Sequence, residues 1–137
     1  MPVRSLTSSV LKWPDAHQVD VALRRWAVAT VRRACSMASP PAAIWRIGYI
    51  GSYARGDWGV GSDVDILILL EDTALPFERR GELWDTSTLP VPAETHTYTR
   101  AEWAAMASQN RRFYREATRD VVWVYTRHRR KCSAEIF

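Results

Sequence analysis

The sequence predicts one domain of mixed α/β class, with a central sheet flanked by helices and an added N-terminal helix. Two segments have the composition of strands: 44–50 is rich in β-branched and aromatic residues, and 64–70 is an almost continuous aliphatic run. Between Pro14 and Pro40, apolar residues recur every three or four positions, as they do on one face of a helix. Strands and amphipathic helices that follow one another in a short chain are typical of this class.

The remaining elements follow in order. The N-terminal helix spans about 15–38, with Asp15 as its N-cap, and the proline pair at 40–41 ends it. The second strand is hydrophobic on both faces, which favours a central place in the sheet. Later segments predict a short helix within 76–85, a strand at about 91–99, and helices at about 100–108 and 109–119. The segment 121–125 has the composition of a strand, but a buried helix would have the same pattern.

Length and composition exclude several classes of protein. The chain has 137 residues, of which 47% are hydrophobic and 25% are charged, so one folded domain is expected rather than a disordered chain. We divide it into the N-terminal helix, a core of about 43–107 and a basic C-terminal segment of about 109–137.

The longest strongly apolar runs, 66–70 and 121–125, are far shorter than the ~20 residues of a membrane span. No secretory signal is predicted, and a cytoplasmic location without a membrane partner is expected.

The cysteines predict no structural chemistry. Cys35 and Cys132 are the two cysteines, no CxxC motif is present, and the three histidines are scattered. We therefore expect reduced thiols and neither a zinc site nor a disulfide framework.

Positive charge is concentrated near the C-terminal end. Eight basic residues lie between Arg111 and Lys131, against two acidic ones, Glu116 and Asp120. This segment could contact an acidic partner or RNA, and a solvated helix face would have the same charge count.

A glycine-rich stretch follows the first strand. Five of the six glycines lie between Gly48 and Gly61, which indicates tight turns or close approach of the backbone to a ligand. Gly51 and Ser52 would stand at the start of a helical turn, where backbone N–H groups favour an anion. The pattern predicts a cradle for phosphate groups.

Two aspartates stand at the entrance of the second strand. Residues i and i+2 of a strand point to the same face with Cα atoms ~6.6 Å apart, so Asp63 and Asp65 would converge and repel each other. A Mg²⁺ ion relieves that repulsion and also binds substrate phosphate oxygens. The alternative is that both aspartates cap the strand and pair with Arg55 or Arg46.

These residues together resemble a known family. Gly51-Ser52-x-Ala54-Arg55-Gly56, followed after five residues by Ser62-Asp63-x-Asp65, resembles the signature of the polymerase-β-like nucleotidyltransferases, specifically the minimal nucleotidyltransferases. The resemblance implies the polymerase-β-like fold and catalytic, Mg²⁺-binding roles for Asp63 and Asp65. It also implies nucleotide binding by Gly51, Ser52, Arg55 and Ser62, and transfer of a nucleoside monophosphate, usually AMP from ATP, with release of pyrophosphate. Arg55 could instead pair with Asp57.

The resemblance implies a third carboxylate on the strand near 91–99. Glu94 stands where the family often has an aspartate, ahead of the family's Tyr-Thr-x-x-Glu-Trp pattern, here Tyr98 to Trp103. We expect Glu94 to be a catalytic metal ligand, with one methylene more than aspartate; otherwise it is a solvent-facing strand residue. His96 shares its face of the strand, and could touch the nucleotide or acceptor or be a packed or surface histidine.

The acceptor is not defined by these motifs. The chain leaves little room for a further acceptor domain, so we expect a second copy or a partner to complete the site. The resemblance implies a small helical HEPN-type partner in a toxin–antitoxin-like pair, with RNA contact through the basic segment. Alternatives are a small-molecule enzyme similar to aminoglycoside nucleotidyltransferases and a non-catalytic module that binds nucleotide or partner.

Overall fold

A four-stranded mixed sheet with helices on both sides forms the structure, a computed structural model that describes residues 13–36 and 43–127. Within them the elements are α1 (Ala16–Ser36), β1 (Ile44–Ile50), α2 (Ser52–Arg55), β2 (Val64–Leu70), a 3₁₀ helix (Phe77–Leu83), β3 (Ala93–Thr99), α3 (Arg100–Ser108), α4 (Arg112–Asp120) and β4 (Val122–Thr126). The strand order is β3-β2-β1-β4. This architecture confirms the predicted mixed sheet flanked by helices and the added N-terminal helix.

Strand β2 occupies an interior position in the sheet. It pairs in parallel with β3 and antiparallel with β1, which in turn pairs antiparallel with β4. Its alternate side chains fill two separate hydrophobic clusters: Val64, Ile66, Ile68 and Leu70 lie in one, and Leu67 and Leu69 in the other. The nearly continuous aliphatic run is therefore explained, because both faces of β2 are covered.

Helix α1 covers the first of these faces. Its buried residues are Val19, Leu23, Trp26, Ala27 and Val31, all in the first cluster. Asp15 caps the helix as predicted: its Oδ1 accepts a hydrogen bond from the backbone N–H of Gln18 at 2.8 Å. The expected end near residue 38 lies outside the described residues.

Helices α3 and α4 cover the second face. Trp103 and Met106 of α3 and Ala117 of α4 pack in the cluster that contains Leu67 and Leu69. A capping box starts α3, in which the Thr99 hydroxyl accepts from the Glu102 N–H and the Glu102 carboxylate accepts from the Thr99 N–H. The threonine and the glutamate of the Tyr-Thr-x-x-Glu-Trp pattern, Thr99 and Glu102, therefore cap α3.

One helix boundary and one helix type differ from the sequence prediction. The helix expected over 109–119 begins only at Arg112, because Asn110 has a φ of 53° and turns the chain between α3 and α4. The short helix expected within 76–85 is a 3₁₀ helix.

Strand β4 settles the ambiguity of segment 121–125. It runs beside β1, and an added Cβ at Gly48 would lie 2.8 Å from the Trp123 side chain and 2.9 Å from the Val122 carbonyl oxygen. Gly48 thus permits the close approach of the two strands. Among the described residues, none of the helices has the length and apolar character to span a membrane.

Candidate active site

The predicted turn between the first strand and the motif helix is present. Strand β1 ends at Ile50, and Gly51 follows with a φ of 81° and a ψ of −154°, a region that is essentially restricted to glycine. The Gly51 carbonyl accepts hydrogen bonds from the N–H groups of Ala54 and Arg55 at 3.1 and 3.0 Å. The chain therefore turns sharply from β1 into α2.

Gly51 packs directly against Asp65. An added Cβ at Gly51 would lie 2.5 Å from Oδ2 of Asp65, so a larger residue could not occupy this place without displacing the carboxylate. The motif glycine and the motif aspartate, which are 14 positions apart in the sequence, are thus in contact distance in the fold.

The pairing of β2 with β3 brings Glu94 and His96 to Asp65. In this parallel pair Asp65 lies opposite Glu94, and His96 is two residues further along the same face of β3. The Nε2 atom of His96 is 3.2 Å from Oδ1 of Asp65. One potential ligand atom from each of the three side chains lies within 4.8 Å of the others.

This donor set fits a divalent cation. Two carboxylates and an imidazole offer oxygen and nitrogen donor atoms that side-chain movements could bring around one ion. Both Asp65 and His96 are half-buried, whereas Glu94 is exposed, so the cluster is open to solvent on the Glu94 side.

Asp63 is not one of these three residues. It directly precedes the first residue of β2, and its side chain is exposed. Among the described residues, the cluster of potential metal ligands consists of Asp65, Glu94 and His96 and does not include the Asp63 carboxylate. Asp65 lies within β2 and Asp63 directly precedes its first residue, and the expected convergence of the two carboxylates stays a prediction. The metal-binding role of Asp63 remains a prediction.

A small cavity of about 180 Å³ adjoins the cluster. Its walls come from the Gly51 turn, from Asp65 and His96, and from α4, and the lining residues are Ile50, Gly51, Arg55, Asp65, His96, Phe113, Glu116, Ala117 and Asp120. Three carboxylates, those of Asp65, Glu116 and Asp120, face one guanidinium, that of Arg55. Glu116 and Asp120 are themselves paired with arginines of α4, and Asp65 is the cavity carboxylate that belongs to the cluster with Glu94 and His96.

Arg55 forms ion pairs with two carboxylates. Its Nε donates to Oδ2 of Asp57 at 3.1 Å, and its Nη1 is 3.8 Å from Oδ2 of Asp120. The hydrogen bond to Asp57 raises the pKa of Arg55 above its ordinary value. The pairing with Asp57 that the sequence left open is therefore present, at the edge of the cavity.

The two predicted nucleotide-binding serines lie on either side of the loop. Ser52 begins α2, and its carbonyl accepts from the N–H groups of Gly56 and Asp57 at 2.9 and 3.1 Å. The Ser62 hydroxyl accepts from the Gly59 N–H at 2.8 Å and so closes the turn before Asp63. Their roles toward a nucleotide remain predictions.

Residues of α4 were not identified from the sequence. Phe113, Glu116 and Asp120 line the cavity because α4 packs over the face of the sheet that carries Asp65 and His96. The ring of Phe113 lies 5.8 Å from that of His96 between centroids. Spacing within α4 indicates a helix but not which strand it covers, so only the tertiary structure identifies these residues.

The basic segment is described only in part, because residues 128–137 lie outside the described residues. Within α4, Arg112 is bonded to Glu116 at 2.6 Å and Arg119 to Asp120 at 3.0 Å. Both acidic residues of the segment are thus paired with arginines.

The comparisons with known proteins identify the family. A family model described as the nucleotidyltransferase domain matches residues 29–119, which is more than half of the chain. The chain therefore belongs to the nucleotidyltransferase domain family, and the resemblance found in the sequence is confirmed. Membership of this family makes the protein a transferase by class.

A search of solved structures matched a Sulfolobus solfataricus protein named as a nucleotidyltransferase, with 19% sequence identity and a TM-score of 0.48. The match covers 85% of this chain and 91% of that chain. A search of curated proteins gave no significant match.

Proposed function

We propose that the protein is a divalent-metal-dependent nucleotidyltransferase that transfers AMP from ATP to a hydroxyl group of its acceptor. The observation that carries the proposal is the pairing of Asp65 with Glu94 on neighbouring strands, directly beside the Gly51 turn. Two carboxylates next to a strand-to-helix turn combine the donors for a metal ion with a backbone suited to phosphate groups. This combination is what nucleoside triphosphate chemistry requires.

Asp65 and Glu94 would hold the metal ion, with Asp63 as a further candidate. A Mg²⁺ ion bound there offsets the charge of the triphosphate and lowers the pKa of the attacking hydroxyl. In the reaction the acceptor oxygen forms a bond to the α-phosphorus, the bond between that phosphorus and the bridging oxygen breaks, and pyrophosphate leaves. The hydroxyl proton passes to solvent or to a neighbouring base.

The turn and its arginine would bind the phosphate groups. Gly51 allows the backbone to approach them closely, and the Ser52 and Ser62 hydroxyls are hydrogen-bond donors on the same loop. Arg55 would exchange its ion pair with Asp57 for a bidentate contact to phosphate, because an exposed ion pair is weak.

For the acceptor we propose a helical partner protein of the HEPN type, in a toxin–antitoxin-like pair. A groove of about 650 Å³ lies beside the site and is lined largely by apolar and aromatic residues, including Phe77, Tyr98 and Met106. Phe113 lines both this groove and the cavity at Asp65. A partner segment in the groove would therefore have a short path to the α-phosphate, and the basic C-terminal segment would contact the partner or its RNA.

Incubation with [α-³²P]ATP and Mg²⁺, with and without the product of the neighbouring gene, tests the proposal. We expect label on the neighbouring protein together with released pyrophosphate. With [γ-³²P]ATP, the label should leave in the pyrophosphate and none should appear on the protein. Asp65→Asn should abolish labelling, whereas Asp72→Asn, which changes an exposed carboxylate at the opposite end of β2, should not.

The alternative functions give different results in this experiment. Label on an aminoglycoside or another small hydroxyl compound, with none on protein, would support a small-molecule enzyme. ATP binding without pyrophosphate release under all conditions would contradict the proposal and support a non-catalytic binding module.

A further inference from the structure

His96 is the one nitrogen donor in the cluster with Asp65 and Glu94. We propose that Nε2 of His96 is a direct ligand of the divalent ion that these carboxylates hold, and that it makes the site favour first-row transition-metal ions over Mg²⁺. The inference rests on the proposed function, because it concerns the same ion.

The strand geometry brings the three donors together. Glu94 and His96 are two residues apart on β3 and share a face, and Asp65 lies opposite Glu94 on β2. Their ligand atoms lie within 4.8 Å of one another. Two ligands on opposite sides of one ion are up to about 4.4 Å apart, since metal–oxygen and metal–nitrogen bonds are ~2.0–2.2 Å. The three separations cannot all be this long around one ion, so the exposed Glu94 side chain would have to close toward Asp65 and His96, whose Oδ1 and Nε2 atoms are already 3.2 Å apart.

The surroundings orient the imidazole toward the carboxylate. Its Nε2 is 3.2 Å from Oδ1 of Asp65, and the Phe113 ring packs against the imidazole with 5.8 Å between centroids. The His96 side chain is 22% exposed and lines the cavity, so an ion has access to it from solvent.

The identity of the donors determines which ions bind well. Imidazole nitrogen is a good ligand for first-row transition metals, whereas Mg²⁺ prefers carboxylate, phosphate and water oxygens. The alternative role for His96 is to hydrogen-bond to Asp65 and orient it, in which case Nε2 carries a proton and cannot bind the ion. Direct ligation and orientation are distinguished by whether nitrogen is bonded to the metal.

Pulsed electron paramagnetic resonance on tag-free protein loaded with Mn²⁺ alone makes this distinction. We expect electron spin echo modulation from one directly coordinated ¹⁴N in the wild-type protein, its loss in His96→Gln, and its retention in His17→Gln, which changes an exposed histidine of α1. Mn²⁺ affinity should fall at least about tenfold in His96→Gln. Mg²⁺ affinity, measured by competition, should change less, so the preference for Mn²⁺ should decrease.

The wild-type protein alone can overturn the proposal. Bound Mn²⁺ without coordinated nitrogen would make His96 a positioning residue and leave the proposed function intact. Failure of Mn²⁺ to bind would also overturn the inference, while the ATP-labelling experiment separately decides the proposed function. Equal losses of Mn²⁺ and Mg²⁺ affinity in a folded His96→Gln protein would contradict the claimed selectivity.

Discussion

Gly51 and Asp65 are so close that a Cβ atom on Gly51 would lie 2.5 Å from Oδ2 of the Asp65 carboxylate. The contact joins the turn after β1 to the second residue of β2. Any ion or phosphate group that binds between these two elements therefore depends on the size of residue 51.

Gly51→Ala should impair the site more than it impairs the fold. The methyl group would displace the Asp65 carboxylate, and the backbone conformation would cost about 1–3 kcal/mol. We expect nucleotide transfer and metal affinity to fall at least about tenfold, and measurements of both, with denaturant unfolding, check this.

Gly56→Ala is the matched control for that variant. Gly56 also has a positive φ, 89°, but an added Cβ there would have no heavy atom within 4 Å. Because Gly56 has the left-handed αL conformation, which alanine adopts at lower cost than the conformation of Gly51, this variant should be strained less and retain most of its activity. Equal losses of activity in the two variants would mean that strain, rather than contact with Asp65, explains the effect.

Asp65→Asn should lower the rate of nucleotide transfer by at least about 100-fold. The change removes a negative charge from the cluster with Glu94 and His96 while keeping the shape of the side chain.

Transfer rates and Mn²⁺ titrations of Asp65→Asn and Asp63→Asn would also compare the two motif aspartates. Because Asp63 lies outside the cluster, we expect its variant to retain more of the metal affinity. The opposite order would assign the principal ligand to Asp63.

The sequence predicted those parts of the fold that local patterns determine. Strand β2 was placed centrally because its aliphatic run leaves neither face polar, and the two clusters on its faces confirm this. Asp15 precedes the amphipathic pattern of α1 and caps it through a single local hydrogen bond. In both cases neighbouring residues alone carry the information.

Relationships across the sheet could not be predicted in the same way. Glu94 could be sought through a family pattern, but the contact of His96 with Asp65 depends on the register of β3 against β2. The cavity residues of α4 depend on which face that helix covers. Register and packing are set by the whole core, so spacing along the chain does not contain them.

Arg80 provides an example that the sequence did not single out. This arginine is only 6% exposed, and its guanidinium donates to the carbonyl oxygens of Leu75 and Thr97 and to both carboxylate oxygens of Glu102. It thereby joins the 3₁₀ helix, β3 and α3 in one network. Because arginines are mostly exposed in proteins, the sequence around Arg80 does not predict that it is buried.

Arg80→Met should lower the free energy of unfolding by about 2–3 kcal/mol, because several buried acceptors lose a charged donor. Arg79→Met changes the neighbouring arginine, which is exposed and paired with Glu82, and should destabilise the protein much less. Urea unfolding of both variants measures the difference. Similar values for the two would contradict the structural role of Arg80.

The pH dependence of stability should identify Glu102 as a contributor. The hydrogen bonds from Arg80 lower the pKa of Glu102 below its ordinary value of 4.5. Those from Thr99 contribute less in the same direction, and partial burial opposes both. A carboxyl group with a lower pKa in the folded state stabilises the protein above its unfolded-state pKa. This stabilisation is lost as the pH falls from about 5 through the lower, folded-state pKa.

Glu102→Gln removes the charge but keeps a side chain that can serve at the third position of a capping box. Urea unfolding between pH 7 and pH 3 should therefore show a smaller loss of stability on acidification in Glu102→Gln than in the wild-type protein. Glu82→Gln, which changes an exposed carboxylate of the 3₁₀ helix, should leave the wild-type pH dependence largely unchanged. If the curves of wild type and Glu102→Gln run parallel, the Arg80–Glu102 pair does not stabilise the ionised carboxylate. The contribution of Arg80 to stability would then come from its hydrogen bonds to the carbonyl oxygens of Leu75 and Thr97, which hold the 3₁₀ helix against β3.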